Sequence, residues 1–152
     1  MFLNKEDLGS VIYNYQIDQI TEGNDDLVLN AIAAAIDQVK SYLTGNNQRE
    51  WIDGRIVYDV EAIFNSVGAA RNPLILAHTK TITKWWIVEL CNADVIQEQA
   101  EDRYDKSVAW LNQLAKGEVT LSTLPVLEQP NTEDEEQTEP FRSGSRKKFN
   151  HE

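Results

Sequence analysis

The stretch 26–43, DLVLNAIAAAIDQVKSYL, decides the fold. Ile32, Ala35, Ile36, Val39, Tyr42 and Leu43 recur at the spacing of one helix face. Ala31, Ala33, Ala34 and Ala35 add strong helix propensity, and as small core-side residues they allow close packing. Gly45 follows the last periodic residue, where a left-handed C′ position ends a helix. This is the clearest amphipathic helix of the chain, and an amphipathic helix must bury its stripe against other elements.

Two further long helices supply those partners. Asn72-Pro73 is a start signal, because asparagine caps well and proline is tolerated at the first helical position. The helix runs to about Cys91, with Ile82, Trp86, Leu90 and Ala93 on one stripe and Trp85 beside it. Asp94 caps a last helix over about 95–116, with Tyr104, Val108, Leu111 and Ala115 inward and Gly117 as its C′ residue. Before the long helices, Asn4 caps a short turn with Glu6 and Asp7 at its positive end. Tyr13, Ile17 and Ile20 mark a second short helix, and a loop over 21–25 follows.

Residues 46–72 break the pattern. Asp53-Gly54 lies between Trp51-Ile52 and Arg55-Ile56-Val57-Tyr58, a strong short hairpin signal. A short helix over about 60–65 follows and ends near Gly68. From residue 128 the periodicity stops. The stretch 130–140 is acidic, polar and closed by proline at both ends, too poor in apolar area to offset the entropy of ordering. It reads as a linker to a tip in which Phe141 and Phe149 bracket Arg142, Arg146, Lys147 and Lys148. The expected fold is mainly α: a small bundle of three long helices over 1–127 with short N-terminal helices and one β-hairpin insertion, then an extended tail over 128–152.

Composition narrows function by exclusion. The chain has 152 residues, enough for one domain with a core of its own. A single cysteine excludes an internal disulfide and a cysteine-built zinc ribbon. The start lacks the basic flank and apolar run of a signal peptide, and no apolar run approaches a membrane span. A net charge of −11 opposes general nucleic-acid binding, which is built from Lys and Arg. The expectation is a soluble, acidic, reduced protein.

No catalytic, cofactor or metal constellation emerges, and the chain is expected not to be an enzyme. The glycines are scattered and form no phosphate loop, and Ser10, Ser41 and Ser66 sit in no nucleophile elbow. His78 stands alone on a predicted helix, where histidine is structural or solvated. Cys91 lies in apolar helical context and reads as an inert small hydrophobe. Glu22, Asp25 and Asp26 lack the length and order of a calcium loop. Glu98, Glu101, Asp102 and Asp105 alternate with Arg103 and Lys106, the pattern of a solvated helix face. Trp85 and Trp86 lie about 100° apart on their helix, so one belongs to the core and Trp85 is a candidate interface residue.

The last helix carries a resemblance. Arg103-Tyr104-Asp105-Lys106-Ser107-Val108-Ala109-Trp110-Leu111, then Leu114-Ala115-Lys116-Gly117, resembles the closing helix of the Mu-like phage and prophage proteins of unknown function. Other pieces agree in order. They are the opening 3–8, Ile17-x-x-Ile20-Thr21 before an acidic loop, Ser41-Tyr42-Leu43-x-Gly45, and Pro73 with Leu76. The resemblance covers about residues 1–121; the segment 46–72 is longer than in the family, and the tail after 127 has no counterpart. The family is similar to head-completion or head–tail connector proteins. The resemblance therefore implies a structural neck subunit in a virion or in the cytoplasm of a bacterial host. Such subunits form a ring of copies on a portal, contact tail and neck proteins, and pass DNA only as cargo, with no membrane. Negative charge suits DNA passage, since like charges repel. The expected partner-binding residues are Trp51, Ile52, Ile56 and Tyr58 through strand addition, Trp85 at a subunit boundary, and the tip Phe141, Arg142, Arg146, Lys147, Lys148 and Phe149. The alternative class is a small nucleic-acid-binding or regulatory protein that uses the basic tip.

Overall fold

The computed structural model describes residues 1–44, 56–91 and 96–127. The order is a 3₁₀ turn (Lys5–Ser10), α1 (Asn14–Ile20), α2 (Asp25–Thr44), α3 (Val60–Asn65), a second 3₁₀ turn (Gly68–Ala70), α4 (Pro73–Cys91) and α5 (Gln97–Lys116). The chain is mainly helical, as the periodicity predicts. The three long helices pack pairwise on one another.

Local chemistry sets the helix ends. The Asp7 carboxylate accepts from the Asn4 backbone N–H at 3.0 Å. Asn24 Oδ1 accepts from the Asp26 N–H at 3.1 Å, so α2 starts one residue before the expected position. Asp59 caps α3 through the Ala62 N–H. Asn72 Oδ1 accepts from Leu74 and Ile75 at 3.0 and 3.1 Å, and Pro73 opens α4 as expected. Gly117 ends α5 at φ 77°, a left-handed conformation that favours glycine. The expected capping residues Gly45 and Asp94 lie outside the described residues, as do Ala93 and the tail from 128 onward.

The core differs from the expected stripes on two helices. On α4 the buried residues are Ile75, Thr79, Ile82, Thr83, Lys84, Ile87 and Val88, whereas Trp86 is half-buried and Leu90 is exposed. This helix packs against both α2 and α5, so its buried arc is wider than one stripe. Its threonines tolerate burial because each hydroxyl bonds the carbonyl one turn back: Thr79 to Ile75 at 2.7 Å, Thr83 to Thr79 at 2.8 Å. On α5 the buried set is Ala100, Ser107, Leu111 and Leu114, with Tyr104 half-buried. On α2 the expected face is found, except that Ala33 is exposed.

The β-hairpin is corrected in its described half. Among the described residues there is no strand, and Tyr58 forms an isolated antiparallel bridge with Val126. Leu127 N–H donates to Val57 O and Asp59 N–H to Pro125 O, both at 2.9 Å. The described β-prone residues before α3 thus pair with the end of the body. The other expected arm, with Trp51 and Ile52, lies outside the described residues.

Candidate functional site

Two features between the helices combine polar chemistry with burial. The first is a seam of α2, α4 and α5. Gln38 accepts from the Trp86 indole N–H at 2.9 Å and donates to the Tyr104 hydroxyl at 2.8 Å. Trp85 stacks on Tyr104 with ring centroids 5.2 Å apart. One glutamine thus joins three helices through both ends of its amide. Gln38→Leu strands the indole N–H and the phenol together. Its expected effect is a loss of about 1 kcal/mol of stability, read as a lower urea midpoint, larger than that of Tyr104→Phe, which removes one bond.

In the same seam His78 Nδ1 lies 3.1 Å from Ser107 Oγ, and its ring stacks on Trp110 at 4.4 Å. Burial holds the imidazole pKa below its ordinary value. A His–Ser contact is the start of nucleophile activation, but that chemistry also needs a group to orient the imidazole. Among the described residues no acid bonds His78, and Ser107 is only 5% exposed. The contact reads as packing. Cys91 has its thiol pKa raised by burial, the reverse of nucleophilic activation. Among the described residues no group of three or more His, Cys, Asp or Glu side chains gathers as metal ligands.

The second feature is an open cleft of about 390 Å³. Residues 9–13 and Gln16 form one wall; Lys84 of α4 and Ile96, Gln99 and Arg103 at the start of α5 form the other. Gly9 and Ser10 end the 3₁₀ turn, and the chain then bends into α1. Lys84 is 6% exposed. Burial, and then the nearby Arg103 charge, hold its pKa below the ordinary lysine value. Beside the cleft mouth Tyr13 stacks on Tyr15 at 5.6 Å; they are 64% and 66% exposed. A stacked, solvent-facing tyrosine pair is the surface type that recurs in protein interfaces.

The expected partner-binding residues divide three ways. Trp51, Ile52, Phe141, Arg142, Arg146, Lys147, Lys148 and Phe149 lie outside the described residues. Ile56 is half-buried against the core, and Tyr58 is 1% exposed with its hydroxyl accepting from the Leu121 N–H at 3.0 Å. Both pack within the subunit, and the Tyr58 backbone bridges to its own chain. Trp85 is half-buried on Tyr104. The residues missed by the sequence reading are Gln38, Lys84, Arg103 and the Tyr13–Tyr15 pair. The one available signal was a lysine inside the apolar run 82–88. The chain matches no protein-family model, no curated protein and no solved structure.

Proposed function

We propose that this chain is a structural neck subunit of a tailed phage or prophage, of the head-completion or head–tail connector type, that assembles as a ring on the portal. The observation that carries the reading is the ordered set of motif residues and the parts they play together. Tyr104, Trp110, Leu111 and Leu114 of the closing-helix motif turn toward α2 and α4; Gly117 ends that helix, and Pro73 opens α4. The segments that resemble the family are thus the ones that build the helical body. The net charge of −11 suits a wall along which DNA slides. The exposed Tyr13–Tyr15 stack offers a head-to-tail contact of the kind a closed ring requires. The tip 141–149 is the element that reaches an adjacent ring. Any contribution of 51–58 to strand addition falls to Trp51 and Ile52, since Tyr58 is engaged within its own subunit.

Light scattering of the purified chain with and without a portal ring tests the reading. The expected result is recruitment into a portal-bound species of multiple copies. A monomer that ignores portal but binds duplex DNA with a steep salt dependence would replace it with the nucleic-acid-binding alternative. Within the proposal, replacing Arg142, Arg146, Lys147 and Lys148 together with alanine is expected to leave the thermal melt unchanged. It should abolish the joining of heads to tails in a complementation assay. Normal joining by that variant would remove the tip from the mechanism.

A further inference from the structure

Positive charge gathers at the cleft of a chain that is otherwise strongly acidic. Among the described residues no carboxylate lies within ion-pair distance of Lys84 or Arg103. Lys80, one turn before Lys84 on α4, donates to Ser10 Oγ at 3.2 Å at the rim, where Asp7 also faces its charge. A buried ammonium beside a like charge carries a desolvation cost that a bound anion offsets. The cleft is open, and apolar side chains of Val11, Ile12 and Ile96 line it with the two cations. That combination fits an extended acidic peptide, whose backbone lies on the apolar wall while its carboxylates meet the charges.

The chain itself supplies such a peptide. Glu133, Asp134, Glu135, Glu136 and Glu139 crowd between Pro130 and Pro140. The reach is sufficient. Thr123 is tied to Asn72 at the start of α4 by a 2.9 Å hydrogen bond. Lys84 lies about 18 Å further along that helix. Thr123 to Leu127 adds at most about 13 Å, and extended chain from Leu127 spans about 26 Å to Glu135 and about 40 Å to Glu139, so the acidic segment covers the distance. A tether this short gives an effective concentration in the millimolar range, enough for partly exposed ion pairs that are individually weak.

We propose that the cleft between the N-terminal turn and the α4–α5 pair is the receptor for the acidic segment 133–139 of the chain's own C-terminal tail, with Lys84 and Arg103 taking its carboxylates. This docking is independent of the neck reading. It fixes the route of the tail over the body and so the place from which the basic–aromatic tip projects.

Amide NMR of the full-length chain tests it with two variants, Arg103→Glu on the exposed rim and Glu135→Lys/Glu136→Lys in the tail. In low salt, amides 133–139 are expected to move in Arg103→Glu and to move the same way when salt is raised. Amides lining the cleft are expected to move in the tail variant, and combining the two sets is expected to restore part of both shifts. The shifts are expected not to depend on protein concentration. Tail amides that ignore both Arg103→Glu and salt, with core resonances intact, would overturn the proposal. So would shifts that grow with concentration alongside a rising mass, which would assign the segment to a neighbouring copy. Titration with inorganic phosphate provides a third arm: cleft amides that respond while the tail amides stay still would mark a small-anion site instead.

Discussion

Ile82→Ala is expected to lower the unfolding free energy by about 2–5 kcal/mol, the range for deleting three buried carbons from a core that relaxes incompletely. Ile82 is fully buried in the middle of α4, the helix that contacts both α2 and α5. Because α4 is held by both neighbours, it cannot shift to close the space without loosening one of them. Urea titration is the measurement, with a lower midpoint at unchanged slope as the expected form. Leu74→Ala, on the same helix but exposed, is the control and is expected to change stability by less than about 0.5 kcal/mol. Similar losses from the two variants would mean that α4 is not the central helix.

Arg71→Ala is the second large effect, at about 2 kcal/mol near neutral pH. The guanidinium grips Asp7 with two nitrogens, at 2.7 and 3.1 Å, and donates to Phe2 O and Gly68 O, both at 3.0 Å. The two side chains are only 14% and 21% exposed, so removing the arginine leaves a carboxylate and two carbonyls poorly hydrated. The effect carries a pH signature. The Arg71 hydrogen bond holds the Asp7 carboxyl below the usual carboxylate range. A depressed folded-state pKa gives stability that is present above the unfolded value, near 3.9, and that fades as pH falls through the folded value. The gap between wild type and Arg71→Ala is therefore expected to be constant from about pH 5 to 8 and to shrink below about pH 4. Urea midpoints across that range measure it, and a gap that widened in acid would contradict the assignment.

Elements closed by local chemistry were legible from the sequence. Asn72-Pro73 and Gly117 carry their own start and stop signals, and the observed ends fall where these residues stand. The buried arc of α4 was not legible. Thr79 and Thr83 look polar in sequence, and only the structure shows their hydroxyls turned back onto the helix. The strand propensity at 56–58 was legible, but its partner was not, because strand propensity does not name one. Tyr58 takes its bridge from Val126, a residue far along the chain whose approach depends on the whole body. The cleft was hidden for a related reason. Lys84 and Arg103 lie on separate helices, and Arg103 reads in sequence as part of a solvated face; only packing sets one charge against the other.

The segment 56–72 holds both ends of the helical body. Arg71 takes Phe2 O across 69 residues, and the Phe2 ring meets Phe64 at 4.8 Å. On the other side the Tyr58 hydroxyl accepts from Leu121 across 63 residues, and the Asn72 amide donates to Thr123 Oγ1 across 51. Such distant closures form slowly compared with helix turns, and they yield nothing until the segment between them is in place. The beginning and end of the body can dock only once this middle segment is placed. Until Arg71 is in place, 69 residues further along, the first turn has only its near neighbours to pair with, Lys5 with Asp18 and Asp25.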